Sequence, residues 1–265
     1  MNKFYIQIVF FLLSASLHVN NKALASQPAP GTSTTPESTY HYLAPEEIYE
    51  KNKHLLCTNP EETIKAGEVM NEAMEALEYH AANIDDYEFY ERYSNSDLLL
   101  FKKKQQGDLD IKKTHYVACK SYEYNEIINM AWDPDYANFL NAGSFKIVRV
   151  YNPNLVMIQQ RYEDSSTNSQ RYFYALAANI EVSKDRNIVV RASADINDHN
   201  PSNDKYTNEI VKSANLFKTD IDSEDDIRRG ELQKVFVNLA GYIVENKGDC
   251  VNITYIESIN KYCTI

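Results

Sequence analysis

The chain has 265 residues, 43% hydrophobic, 12% aromatic and 25% charged, which excludes wholesale disorder. Its formal net charge is −11, and the first 25 residues hold two lysines and no acid, so the remainder carries −13; a surface of that sign repels phosphate backbones and argues against a nucleic-acid partner. With seven glycines and no G-x-G-x-x-G, G-K-[ST], G-x-S-x-G or H-E-x-x-H motif, no cofactor cradle or catalytic signature is visible.

In chain order, Lys3 forms a short basic region and an apolar run follows from Phe4 to Leu17. That run is shorter than the roughly 20 residues a bilayer requires. Small residues at Ala23 and Ala25 complete the pattern of a secretory signal peptide over residues 1–25, with cleavage before Ser26. Residues 26–43, rich in Pro, Ser and Thr, read as a disordered linker. A single folded domain is expected over 44–265.

Pro45-Glu46-Glu47 suits a first helical turn, where proline loses nothing and acids oppose the helix dipole. A helix to about Leu56 is predicted. Asn59-Pro60-Glu61-Glu62 repeats the signal, and Ile64, Val69, Met70, Ala73, Met74 and Leu77 then recur at helical spacing. Short strand-like runs follow at Tyr87–Tyr93, Leu98–Lys103 and Ile111–Cys119. A helical insert, Tyr124 to Leu140, turns a corner at Trp132-Asp133-Pro134-Asp135, because proline disfavours helical geometry at Asp133.

The rest reads as strands: Phe145–Tyr151, Leu155–Tyr162, Arg171–Val182, Ile188–Ile196, Leu216–Ile221, Val235–Val244 and Cys250–Ile256. Tyr172, Tyr174, Leu176, Ala178, Ile180 and Val182 share one strand face, as do Ile188, Val190, Ala192, Ala194 and Ile196 on the next strand. Arg191 alternates instead with Ser193 and Asp195, which predicts an outward side chain. The acidic run Asp220–Asp226 reads as a solvated loop. The fold class is α+β: helices, then a curled antiparallel sheet of about eight or nine strands with helices inserted after the third. Such sheets are commonly covered on one face.

Four cysteines, Cys57, Cys119, Cys250 and Cys263, allow up to two disulfides in an oxidising compartment, with three pairings open, or four packed thiols. Neither they nor the six scattered histidines have the spacing of a metal site. The one glycosylation sequon, Asn252-Ile253-Thr254, falls within a strand and is expected to stay unmodified.

Several long motifs are similar to those of the fam-a proteins of malaria parasites. They are Met1-Asn2-Lys3-Phe4-Tyr5, Cys57-Thr58-Asn59-Pro60-Glu61-Glu62, Trp132-Asp133-Pro134-Asp135, the stretch Tyr151 to Tyr162, Ala214 to Asp220, and Tyr255-Ile256-Glu257-Ser258. The resemblance spans nearly the whole chain. It implies a START-related lipid-transfer domain of helix-grip fold, in which a curved sheet encloses a lipid-sized tunnel. It also implies a phospholipid ligand, with phosphatidylcholine as the family's associated cargo. Arg191-Ala192-Ser193-Ala194 with His199-Asn200-Pro201, and Gly241-Tyr242-Ile243-Val244, resemble shorter marks of that fold. One departure stands out. START domains close their tunnel with a long C-terminal helix, whereas here nine residues follow Ile256 with no amphipathic pattern. Either that helix is missing, or an upstream helix such as 60–81 covers the opening.

A lipid carrier needs burial and a polar anchor rather than a nucleophile. Arginine suits a phosphate, and an aromatic face suits a quaternary ammonium. Arg149 shares strand parity with Phe145, Ile147 and Tyr151, and Arg161 with Leu155 and Met157. The candidate lipid contacts are Arg149, Arg161, Tyr172, Tyr174, Leu176, Ile253 and Tyr255, although ordinary core packing accounts for each tyrosine taken singly. Small residues at Ala175, Ala177, Ala178, Ala192 and Ala194 leave room for a ligand if they face inward. The expectation is a secreted, monomeric, non-enzymatic protein that needs no cofactor. It would meet membranes transiently for lipid exchange and reside in the parasitophorous vacuole or a host-cell compartment. The alternative is a parasite–host interaction protein that keeps the fold without cargo and binds host proteins.

Overall fold

A computed structural model describes residues 43–83, 85–92, 98–104, 110–119, 124–133, 143–164, 167–202 and 206–260. The signal-peptide and linker expectations, the second half of the 124–140 insert and Cys263 lie outside these residues. No helix among the described residues is long and apolar enough to cross a membrane.

Helix α1, Pro45–Asn52, begins as its sequence dictates: Pro45 occupies the first turn, and the Glu47 carboxylate accepts from the Ala44 N–H at 2.8 Å. One 3-10 turn, Lys53–Leu55, follows. Helix α2, Pro60–Ala82, is capped by Asn59, whose Oδ1 accepts from the N–H groups of Glu61 and Glu62 at 3.0 and 3.4 Å. Its far end is held by Lys113, whose Nζ donates to the carbonyls of His80, Ala81 and Asn83 at 3.4, 2.5 and 3.1 Å. A cation there complements the negative end of the helix dipole.

Three strands come next: β1 (Glu88–Arg92), β2 (Leu99–Lys104) and β3 (Asp110–Cys119). After them, α3 (Tyr124–Trp132) is the part of the expected insert that lies within the described residues. The long meander is β4 (Ser144–Asn152), β5 (Leu155–Asp164), β6 (Ser169–Ser183) and β7 (Arg186–Ala192). The predicted run Ile188–Ile196 breaks at Ser193, whose Oγ donates to Tyr174 O at 2.7 Å and accepts from Val237 N at 2.9 Å. Its continuation, β8 (Asp195–Asn197), pairs in parallel with β9 (Lys218–Asp220) as a separate two-stranded sheet.

The acidic run is only partly loop. Asp225–Arg228 forms one helical turn, α4. Strands β10 (Gln233–Lys234), β11 (Phe236–Asn246) and β12 (Cys250–Asn260) complete a ten-stranded sheet. Its order is β1-β2-β3-β12-β11-β7-β6-β5-β4, antiparallel along this path, with β10 beside β6. Cys119 and Cys250 face each other across β3 and β12 and form a disulfide, while Cys57 is a free thiol.

Both faces of the sheet are covered, against the one-sided expectation. Helix α2 lies on what we call the outer face, packing Val69, Met70, Ala73 and Leu77 with Tyr172, Tyr174, Leu176, Ile188, Val190 and Ile243. Gly241 lets it approach: a Cβ there would stand 2.5 Å from Val189 O and 3.0 Å from Leu77 Cδ2. Helices α1 and α3 lie on the inner face, where Ile48, Ile127, Met130 and Trp132 meet Ile147, Val156, Phe173, Val189, Val237, Val244 and Val251. The upstream helix suggested as the cover of the opening therefore sits on the opposite face.

Candidate ligand site on the inner face

The inner wall is built from alternate residues of six strands. On β6 these are Phe173, Ala175 and Ala177; on β5, Val156 and Ile158; on β12, Val251, Ile253 and Tyr255. Arg191 of β7 rises from this wall and is 2% exposed. Its neighbours across the ladder are Ala177 on one side and Ala240 on the other, and these two small side chains leave room for the guanidinium. The guanidinium carbon lies 5.2 Å from the Phe145 ring centroid, a cation–π contact. Burial pulls the Arg191 pKa down to about 10, opposed by the nearby phenols of Tyr242 and Tyr255, so it stays cationic at neutral pH.

Tyr242 and Tyr255 stand opposite each other on β11 and β12, with ring centroids 5.0 Å apart. Burial holds both phenols well above the ordinary tyrosine range. Tyr255 donates to Glu257 Oε2 at 2.9 Å, and Lys112 Nζ lies 3.2 Å from Glu257 Oε1. The wall thus carries a polar line through otherwise apolar surface. Placing a charge in such surroundings costs several kcal/mol, which apolar residues of similar volume would avoid. A strongly perturbed cation inside a cleft is therefore a functional-site candidate.

Ile48, Trp132, Phe145, Ile147, Val156, Ile158 and Ala177 enclose the space beside Arg191, and what remains open is about 10 Å³, room for about one water. Trp132 Nε1, buried in this lining, has no hydrogen-bond acceptor among the described residues. Ile48 enters from α1 and is 2% exposed, a burial worth about 2–3 kcal/mol. Among the described residues no group of three or more His, Cys, Asp or Glu side chains is placed to hold a metal ion.

The sequence-derived candidates divide between the faces. Ile253 and Tyr255 belong to the inner cluster, whereas Tyr172, Tyr174 and Leu176 belong to the outer one under α2. Tyr172 donates to Asp198 at 2.9 Å there, and the Tyr174 hydroxyl accepts from Gln159 Nε2 at 2.5 Å.

Arg149 also faces outward from the cavity. It bonds Glu62 Oε1 at 2.7 Å, Asp220 O at 2.9 Å and the Thr219 hydroxyl. A β-bulge between Ile147 and Arg149 breaks the parity that linked it to Phe145 and Ile147. Arg161 keeps its expected parity with Leu155 and Met157, but that parity is the outer one. It pairs with Asp226 at 2.6 Å and Glu224 at 2.9 Å, so the acidic run is tied to the sheet. Of the five alanines, Ala175 and Ala177 face inward, and Ala178, Ala192 and Ala194 pack in the outer cluster. Arg191 corrects the outward reading: its alternation with Ser193 was right, but the face they share is the inner one. The signal in the sequence was partial: Ala177 faces Arg191 across the β6–β7 hairpin, whereas Ala240 is brought beside it only by the pairing of β7 with β11.

Among solved structures, the chain is similar to human StAR-related lipid transfer protein 5, with a TM-score of 0.52 and 10% identity over 76% of this chain and 85% of that one. The fold is START-like. Human STARD10 is a further similar structure, at TM-score 0.48 and 12% identity over 72% of this chain and 67% of that one. No family model matches the chain, and no curated protein matches it either.

Proposed function

We propose that this START-like protein is a non-enzymatic lipid-binding and lipid-transfer protein that takes a phospholipid, phosphatidylcholine by preference, on its inner face. The observation that carries the proposal is Arg191, a cation buried in an apolar wall between Ala177 and Ala240. A guanidinium there suits a lipid phosphate, and the faces of Phe145, Tyr242 and Tyr255 suit a quaternary ammonium. The similar human protein is named a lipid transfer protein, which supports the same reading. The fam-a motifs make membership of that malaria-parasite set part of the proposal. Secretion belongs to it too, supported by the signal-peptide pattern and by the Cys119–Cys250 disulfide.

Two acyl chains present about 30 methylenes, each worth roughly 0.8 kcal/mol out of water, so the chains must be enclosed throughout transfer. Exchange then requires transient contact with a membrane and an opening step in the protein. Native mass spectrometry after incubation with mixed liposomes tests the proposal, with a stoichiometric phospholipid as the expected result. A stable protein that emerges empty would instead favour the second reading, an interaction protein that keeps the fold without cargo. The specific observation on that side is the space of about 10 Å³ beside Arg191, which no phospholipid enters unless side chains or helices move.

A further inference from the structure

The stretch from Leu43 to Cys57 runs from the inner face along β4, the last strand of the main sheet. At its start, the Leu43 N–H donates to Asp133 Oδ2 at 3.1 Å. At its end, the Cys57 N–H donates to Val150 O at 2.7 Å, beside a parallel bridge between Leu56 and Val150. Between these points Ile48 is the only buried residue of α1, and it lines the space shared by Trp132, Phe145, Ile158 and Arg191. Leu43, Tyr49 and Leu55 lie half-buried against the same cluster. Immediately beyond Cys57 the hold changes. Asn59 caps α2, and Glu62 accepts from Arg149 and from the Tyr151 hydroxyl at 2.7 and 2.8 Å.

We propose that residues 43–57 are the lid of the inner-face cavity. The strap leaves β4 as a unit, turning about the junction at Thr58 and Asn59, and withdraws Ile48 from a place that an acyl chain then fills. This inference rests on the lipid-binding reading for its cargo, but not for its motion. Ile48 is the side chain that a guest must replace. It supplies apolar surface to the cavity from an element whose other buried contacts are partial, whereas Val156, Ile158, Ala177 and Arg191 stand on β5, β6 and β7, strands paired on both sides. A segment with few buried apolar contacts opens locally at low cost, while the sheet opens only with global unfolding. Withdrawal also frees the edge of β4 beside Phe145 and Ile147, a route along the sheet toward Arg191.

Two measurements on the full chain test the lid. Hydrogen exchange should show the amides of Ile48 and Cys57 opening at least ~100-fold more often than those of β6 and β11. Ile48→Ala should raise strap exchange by a further ~10-fold or more. For uptake, Leu43→Cys with Asp133→Cys, in a background of Cys57→Ser and Cys263→Ser that keeps the Cys119–Cys250 disulfide, is oxidised to tether the strap. It is compared with the two proteins that carry only one of the introduced cysteines, using phosphatidylcholine vesicles that carry a fluorescent acyl chain. The tethered protein should take up the probe at least ~10-fold more slowly. Strap amides that exchange only together with β6 would overturn the lid, as would equal uptake by tethered and untethered proteins. Local strap opening with no uptake by any form would support the motion and overturn the lipid reading instead. If the tether perturbs folding, hydrogen exchange on the Ile48→Ala protein still decides.

Discussion

Helix α2 on the outer face buries Ala66, Val69, Met70, Ala73, Leu77 and His80, while α1 on the inner face buries Ile48 alone. The difference extends to the polar anchors. Lys113 holds the end of α2, Glu62 joins it to Arg149 and Tyr151, and Glu78 pairs with Arg186 at 2.9 Å. Glu72 accepts from the backbone N–H groups of Lys212 and Ser213 at 2.7 and 2.8 Å, fixing α2 to the 3-10 turn Lys212–Asn215. Two helices close together in sequence thus meet one sheet with unequal grip. The outer face is built to stay shut, and on the inner face α1 is a light cover beside α3, which buries Ile127, Ile128, Met130, Ala131 and Trp132. A carrier needs this asymmetry, because a sheet that parted on both faces would lose its fold whenever it released cargo.

The broadest way to strain this comparison is to loosen the platform beneath both helices. Replacing Cys119 and Cys250 with serine removes a cross-link spanning 131 residues of sequence, for which chain entropy sets a ceiling of about 5 kcal/mol. Urea unfolding should show a loss of several kcal/mol, while the strap amides keep their own exchange rates. A sharper contrast comes from truncating one residue under each helix. Leu77→Ala should lower global stability by about 3 kcal/mol. Ile48→Ala should cost the same measurement only about 1 kcal/mol, because local opening of the strap caps the global loss. Equal costs would mean that the two helices are equally fixed.

Acid should act on the outer face through His80, which lies under the end of α2 with its Nδ1 3.0 Å from the Tyr87 hydroxyl. Burial, aided by Lys103 and Lys113 and opposed by Asp86, pulls its pKa down to about 4 from 6.5. The folded value lies below the unfolded one, so this stabilisation is full above pH 6.5 and fades as pH falls to about 4. The change is about 3 kcal/mol. Urea midpoints between pH 7 and pH 4 should fall less steeply in His80→Phe than in the parent protein. The smallest effect belongs to Arg161→Ala. Its ion pairs with Glu224 and Asp226 are partly exposed and worth about 0.5–1 kcal/mol. Native mass spectrometry should find its lipid content unchanged, since the side chain faces away from the cavity.

Much of the fold was legible because its local signals were strong. Asn59-Pro60-Glu61-Glu62 started α2 where expected, and the alternation from Tyr172 to Ile180 matches one face of β6. The site was harder to read. Apolar alternation identifies a face without saying which helix covers it, so the richest stripe, under α2, drew attention to Tyr172, Tyr174 and Leu176. The opposite stripe mixes alanines with Arg191 and resembles a solvent face until α1 and α3 are placed over it. Arg149 was misdirected by a single bulge, which strand parity does not reveal. Nor did one isoleucine in a polar helix, Ile48, distinguish itself in the sequence. Its role depends on a contact with strands about 100 or more residues away.

The chain contains one tryptophan, and Trp132 lines the inner cavity, so its fluorescence reports directly on what enters. Phosphatidylcholine carrying a nitroxide on an acyl chain should quench that emission saturably in the parent protein and in Arg161→Ala, and only weakly in Arg191→Met at equal lipid. Lipid that co-purifies stoichiometrically without quenching Trp132, or quenching that ignores the change at Arg191, would contradict the assignment of the inner face as the binding site.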